Sequence, residues 1–184
     1  MRPPKLIKPY VISFCHSIII GPQPVYVPVR PLANAPVNDC FSVVPRHVLQ
    51  HGGEQVIGWA VWEWPRVYIE AEFHAVWRQN DGSLLDITPK AASIPRILFL
   101  PDIRRVYNGR QVDNIRKPLA HDPAIKRFCE LATLMYREQN RGDLAEYHGP
   151  IVFTECMQRI DRERQQLGLL LRRRYGTNTT ETLP

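Results

Sequence analysis

The chain has 184 residues, of which 44% are hydrophobic and 23% charged, with a formal net charge of +6. This is the composition of a soluble globular protein, long enough to bury most of its surface in one ordinary domain without a disulfide or structural metal. No run approaches the ~20 apolar residues of a membrane helix, and so small a charge permits contact with nucleic acid or anionic lipid without demanding it.

Residues 1–37 are punctuated by proline; the chain holds 17 prolines in all, well above the usual share of about 5%. Pro22, Pro24, Pro28 and Pro31 argue against a helix or a central strand here. Tyr10–Ile20 and Val25–Val29 therefore read as extended pieces, edge strands or an arm wrapping the domain. Arg2, Lys5 and Lys8 precede the apolar stretch Val11–Ile20, but Ser13, His16 and Ser17 interrupt it. The Ala33-Asn34-Ala35 triplet lies well downstream of it, across several prolines, so no secretion signal is read and a cytoplasmic location is expected.

Asn38 and Asp39 are capping types, Pro45 reads as a first-turn residue, and Gly52-Gly53 is a stop. A short helix over Ser42–His51 follows. Gln55–Glu63 and Val67–Trp77 are rich in β-branched and aromatic residues, with Trp64-Pro65 between them. Asn80-Asp81-Gly82 marks a hairpin whose return strand is Ser83–Thr88. Ile97–Leu100 is a short apolar run stopped by Pro101, and residues 103–121 look irregular. Asp122-Pro123 opens a helix over 122–141, with Ile125, Phe128, Cys129, Ala132 and Met135 at helical spacing. Residues 151–175 read as a second helix, apolar at first and ending in Arg172-Arg173-Arg174, and 177–184 as a frayed tail. The expected fold is α+β: an antiparallel sheet carrying a short cysteine-bearing helix, then two C-terminal helices. In chain order these form an arm (1–37), a core (38–121), a helical pair (122–176) and the tail, all in one compact domain.

Of the four cysteines, Cys15, Cys40, Cys129 and Cys156, none forms a CxxC pair, which removes zinc-ribbon and thioredoxin-like readings. Their sparse spacing suits a reducing compartment. Cys40 carries the chemistry. A nucleophilic cysteine needs a nearby histidine and a third group to orient that histidine. Placed near a helix N-terminus, Cys40 would gain a dipole that favours thiolate and backbone N–H groups to hold an oxyanion. Strand alternation sets Glu70, Glu72, His74 and Val76 on one face and Ile69, Ala71, Phe73 and Ala75 on the other. A three-residue loop Asn80–Gly82, with Gly82 left-handed, pairs Gln79 with Ser83, Trp77 with Leu85 and Val76 with Asp86. That puts Asp86 diagonal to His74 on the same face, whereas a two-residue loop would turn it away.

A cysteine ahead of a helix, then His74 on a strand and Asp86 on the next, resembles the papain-like superfamily of cysteine hydrolases. The order is similar to its transglutaminase-like, arylamine N-acetyltransferase-like and NlpC-type branches. The resemblance covers roughly residues 38–100 and implies Cys40 as nucleophile, His74 as base and Asp86 as orienter. Two departures stand out: Pro45 makes the expected long helix short or delayed, and no glutamine precedes Cys40 to supply a second oxyanion donor. Gly58-Trp59-Ala60-Val61-Trp62-Glu63, Glu70–Trp77 and Asp86-Ile87-Thr88-Pro89 also resemble an uncharacterised bacterial family with a GWxxWE…EAEFHAVW…DG…DITP pattern, which implies no activity.

Each residue has a blander reading. Cys40 alone is a buried structural thiol, His74 a satisfied sheet histidine, Asp86 an edge carboxylate; the ordered combination favours chemistry. His47 and His51, four apart, lack the glutamate of a zincin helix, and Cys15-His16 with Cys40 and His74 fits no zinc spacing. Trp59, Trp62, Trp64 and Trp77 read as sheet packing, with Trp59, Trp62, Trp77 and Glu72 the candidates for a substrate groove. Glu70 and Glu72 suit a cationic substrate group or solvent. The arginine run reads as a solvated helix end, with nucleic-acid contact the weaker alternative.

The expectation is a thiol-dependent hydrolase of an amide bond, peptidase or deamidase, acting on a protein or peptide through Cys40, His74 and Asp86. Transglutaminase-like acyl transfer, or a non-catalytic protein- or nucleic-acid-binding module, are the alternatives. No metal, organic cofactor or membrane is called for.

Overall fold

The computed structural model describes residues 1–147 and 151–176, so the expected tail at 177–184 lies outside the described residues. In chain order the elements are α1 (Pro9–Ile18), β1 (Val25–Pro28), α2 (Cys40–His51), β2 (Glu54–Trp64), β3 (Tyr68–Arg78), β4 (Leu84–Leu85), β5 (Arg96–Pro101), β6 (Ile115–Pro118), α3 (Pro123–Gln139), a 3₁₀ turn (Gly142–Glu146) and α4 (Glu155–Tyr175). The fold is α+β: an antiparallel sheet of order β1-β5-β2-β3-β4 with β6 added on β3, a cysteine-bearing helix, and two C-terminal helices. No helix among the described residues is long and apolar enough to cross a membrane.

The chain divides into two compact units, one of Pro3–Trp62 and Ala71–Tyr107, the other of Met1–Arg2, Glu63–Glu70 and the described residues from Asn108 onward. In the first unit, β1 pairs β5 (Val27 opposite Ile97) and β5 pairs β2 (Phe99 opposite Ala60). Val27, Val56, Ala60, Val76, Ile97 and Phe99 thereby share one apolar cluster. Beyond the regular strands, Val29 and Asp86 form a parallel bridge. Arg30 N donates to Asp86 O at 2.9 Å, and Leu32 N to Ile87 O at 2.9 Å. The two ends of the strand order therefore meet, and the sheet curls toward closure. Gly58 sits inside this curl: a Cβ there would lie 2.2 Å from Leu100 O and 2.8 Å from the Phe99 ring, so β2 and β5 approach as they do only through glycine.

In the second unit the hairpin tip and the C-terminal helices share a cluster of Trp64, Val67, Tyr68, Ile125, Phe128, Cys129 and Leu171. Asp122 caps α3 as expected, accepting Ala124 N–H at 2.8 Å, with Pro123 in the first turn. Thr154 caps α4 by accepting Met157 N–H at 3.2 Å, and Arg172–Arg174 occupy its last turn, where the helix dipole favours cations.

Three local expectations are corrected. Tyr10–Ile20 is mostly helix rather than extended. Pro9 fits the first turn, and Val11, Phe14 and Cys15 recur at i, i+3 and i+4 and are buried, so packing overrides the β-branched composition. The helix ends at Ile18, ahead of the prolines. Pro45 lies inside α2, past its first turn; the helix starts at Cys40 and runs 12 residues, neither short nor delayed, despite the missing donor to the Phe41 carbonyl. Residues 115–118, expected irregular, form β6.

Candidate active site

The hairpin after β3 takes the three-residue form its sequence demands. Gln79 N donates to Ser83 O at 2.8 Å and Gly82 N to Gln79 O at 2.9 Å. Gly82 is left-handed with φ 85°, and Trp77 pairs Leu85. Continuing this register places Asp86 on the face that carries His74. His74 Nε2 donates to Asp86 Oδ2 at 3.1 Å, and the residues are 4% and 0% exposed.

Asp86 has two further partners. Thr88 N–H donates to Oδ1 at 3.1 Å, and the Lys90 ammonium lies 2.8 Å from Oδ2. Burial favours the neutral acid, yet the bond and charge of His74 and the charge of Lys90 outweigh it and hold the carboxyl below its usual range. On His74 burial, the largest influence, favours neutral imidazole. Against it stand the hydrogen bond to Asp86, a hydrogen bond with the Cys40 side chain and the negative charges of both groups, and the ring is raised to about 9. With Nε2 engaged by Asp86, Nδ1 is the ring nitrogen left for the thiol.

Cys40 is the first residue of α2. Asp39 does not cap the helix with its side chain; its carboxylate instead accepts Ser42 Oγ at 2.6 Å. Neither the Cys40 nor the Phe41 backbone N–H has an acceptor among the described residues, as first-turn amides require a partner from outside the helix. Cys40 keeps 5% of its surface open and packs with Val43, Val44, Ala75 and Ile87. Ala75 follows His74 and Ile87 follows Asp86, so the helix seats on the residues next in the chain to the pair, which alternation sets on the other face of each strand.

Both ends of α2 are pinned to the segments that carry the other two groups. Asn38 N donates to Pro89 O at 2.9 Å beside the N-terminus. Trp77 Nε1 donates to Gly52 O at 3.0 Å at the C-terminus. There Gly53, at φ 79°, comes so near that a Cβ would lie 2.2 Å from Arg78 O.

The aromatic candidates are placed differently from one another. Trp59 does not line a groove: it is 1% exposed, and its Nε1 donates to buried Asp102 at 3.2 Å. Trp62 and Glu72 satisfy each other at 2.7 Å on the face that carries His74. Trp77 is half-buried, edge-on to His47 with centroids 4.4 Å apart, and serves the helix end. Glu70 accepts from Arg116 at 3.1 Å, in the other unit. His47 and His51 stack at 4.2 Å. Among the described residues no three His, Cys, Asp or Glu side chains gather to hold a metal. Of the other thiols, Cys15 and Cys129 are buried, and burial pushes them up to about 12 and about 11.

Sequence reasoning missed Lys90 and Tyr107. Lys90 lies four residues after Asp86, a spacing that carries meaning on a helix but not past a proline. Tyr107 comes from an irregular segment with no pattern to place it. The second unit holds a cleft of about 250 Å³ lined by Asp113, Asn114, Arg116, Tyr136 and Arg164 among others, without thiol or imidazole. No protein-family model, curated protein or solved structure matches the chain.

Proposed function

We propose that the chain is a thiol-dependent hydrolase of amide bonds in proteins or peptides, built on the papain-like plan, with Cys40 as nucleophile, His74 as acid–base and Asp86 as its orienter. The observation that carries this reading is one buried imidazole bonded to a buried carboxylate at 3.1 Å, with the side chain of a helix's first residue, Cys40, among the groups that raise the ring. His74 is the base that takes the Cys40 proton as the sulfur attacks.

The steps balance. The Cys40 thiolate attacks the carbonyl carbon, a C–S bond forms, and the π pair moves to oxygen. As the tetrahedral species collapses, the C–N bond breaks and His74 gives its proton to the departing nitrogen. Water then attacks the thioester, losing a proton to His74, and the acid leaves with the thiol restored. Asp86 keeps the ring in one orientation throughout. The four free thiols suit a reducing compartment, and we place the activity in the cytoplasm.

The test uses p-nitrophenyl acetate as a minimal acyl donor, in a Cys156→Ser background that removes the one thiol that is not buried. A burst of nitrophenolate with an acetyl adduct on Cys40 is expected. The adduct is lost in Cys40→Ala, and its formation slows by about 10²-fold or more in His74→Ala, the usual contribution of an acid–base group. Acetylation that ignores both substitutions would remove the reading.

A further inference from the structure

Acyl transfer needs donors where the carbonyl oxygen gains charge. The first turn of α2 offers the Cys40 and Phe41 amides, but the sequence supplies no side chain for the second place. The structure sets a phenol ring against the first turn of this helix. The Tyr107 ring stacks on Phe41, the residue following the nucleophile, with centroids 4.0 Å and planes 12° apart. Phe41 stacks in turn on Phe73, the residue preceding His74, at 4.9 Å. The Tyr107 hydroxyl has no hydrogen-bond partner among the described residues.

The segment that delivers this ring is fastened. Asp102, wholly buried, accepts Trp59 Nε1, Arg104 N at 3.2 Å and Arg104 Nε at 3.0 Å. Arg105 N donates to Asp102 O at 3.1 Å. Arg104 Nη2 also reaches Ile18 O at 3.0 Å, at the end of α1. Tyr107 thus leaves a closed turn two residues after its last anchor, a preorganised rather than a wandering donor.

We propose that Tyr107 is a catalytic residue of the same site, its O–H donating to the oxyanion that forms on the acyl carbonyl while Cys40 attacks. The assignment rests on the reading of Cys40 as nucleophile. The phenol keeps its proton throughout and no bond to it is made or broken. Burial, with the charges of Asp39 and Cys40, raises Tyr107 above its ordinary value, so it remains a donor when the thiolate is present.

Tyr107→Phe separates this role from packing, because the ring that stacks on Phe41 stays. Two rates are measured on the Cys156→Ser protein: alkylation of Cys40 by iodoacetamide, which develops no oxyanion, and acetylation by p-nitrophenyl acetate, which does. The expected result is an unchanged alkylation rate and acetylation slowed by about 10²-fold, the size of one oxyanion donor. Equal rates in both reactions would overturn the assignment, as would a parallel fall in both, which marks a structural role. Absence of any Cys40-dependent acetylation in the Tyr107 parent would instead bring down the nucleophile reading, and the assignment with it. Tyr107→Ala is the second variant: its acetylation falls at least as far as that of the phenylalanine variant, and an alanine variant that acetylates at the parental rate rules the phenol out.

Discussion

His74 and Asp86 stand 12 residues apart in the chain and 3.1 Å apart in space, joined by a hairpin whose turn admits one register. Their bond is also a pH device, because His74 is raised to about 9 while an unfolded histidine titrates near ~6.5. A raised group stabilises the fold fully below its unfolded value and loses that contribution as pH rises through the folded one.

The first prediction follows from that sign. Urea denaturation should show stability falling between about pH 6.5 and 9 by an amount on the order of 3 kcal/mol, since each unit is worth about 1.4 kcal/mol. His74→Gln should flatten the slope. Cys40→Ser removes the thiol that helps hold the proton, so the imidazole titration followed by NMR should move to lower pH in that variant. An unmoved midpoint would mean that sulfur and ring do not interact.

The second prediction tests the turn. Gly82 is left-handed at φ 85°, and an added Cβ there meets nothing within 4 Å. Gly82→Ala should therefore destabilise by backbone strain alone, about 1–2 kcal/mol, and leave Cys40 acetylation intact. Deleting Asp81 leaves a two-residue loop, slips the register by one and turns Asp86 to the opposite face. Acetylation should then drop toward the His74→Ala level. A deletion variant with the parental burst would show that the register does not position the pair.

What the sequence disclosed follows from how local each signal is. Asn80-Asp81-Gly82 between alternating strands is a short-range instruction, and register and the His74–Asp86 face follow from counting. Asn38-Asp39 before Cys40, with Gly52-Gly53 after, bounded α2 well. The arm misled because Pro9 and Pro22 look alike in a string, although one opens a helix and the other lies past its end. Ile115–Pro118 carries no alternation, being a strand because β3 offers it an edge. Trp59 and Tyr107 were misplaced or missed because long-range packing decides which aromatic is enclosed and which stacks on the helix that carries the thiol.

The last prediction concerns Lys90, whose ammonium shares Asp86 Oδ2 with the imidazole. Its side chain is only 12% exposed, so solvent screens the pair weakly. Lys90→Met keeps the aliphatic stem and removes the charge. Asp86 then loses one of the influences that hold it low, and its titration moves up. A carboxyl held low stabilises the fold above its unfolded value of ~3.9 and loses that contribution as pH falls through the folded one. The acid limb of the stability curve should accordingly start at higher pH in the variant, with about 1.5–3 kcal/mol lost at neutral pH, the scale of a hydrogen bond to a charged group. On His74 the effect has the opposite sense for function. Without a competing cation on the shared oxygen, the imidazolium is better held, and its NMR midpoint should rise above that of the parent. The proton is then given up less readily to a departing amine, so acetylation, which needs no such proton because nitrophenolate leaves as an anion, should persist while turnover of an anilide donor slows. A His74 midpoint that stays put in Lys90→Met would show that the lysine braces the turn without tuning the base.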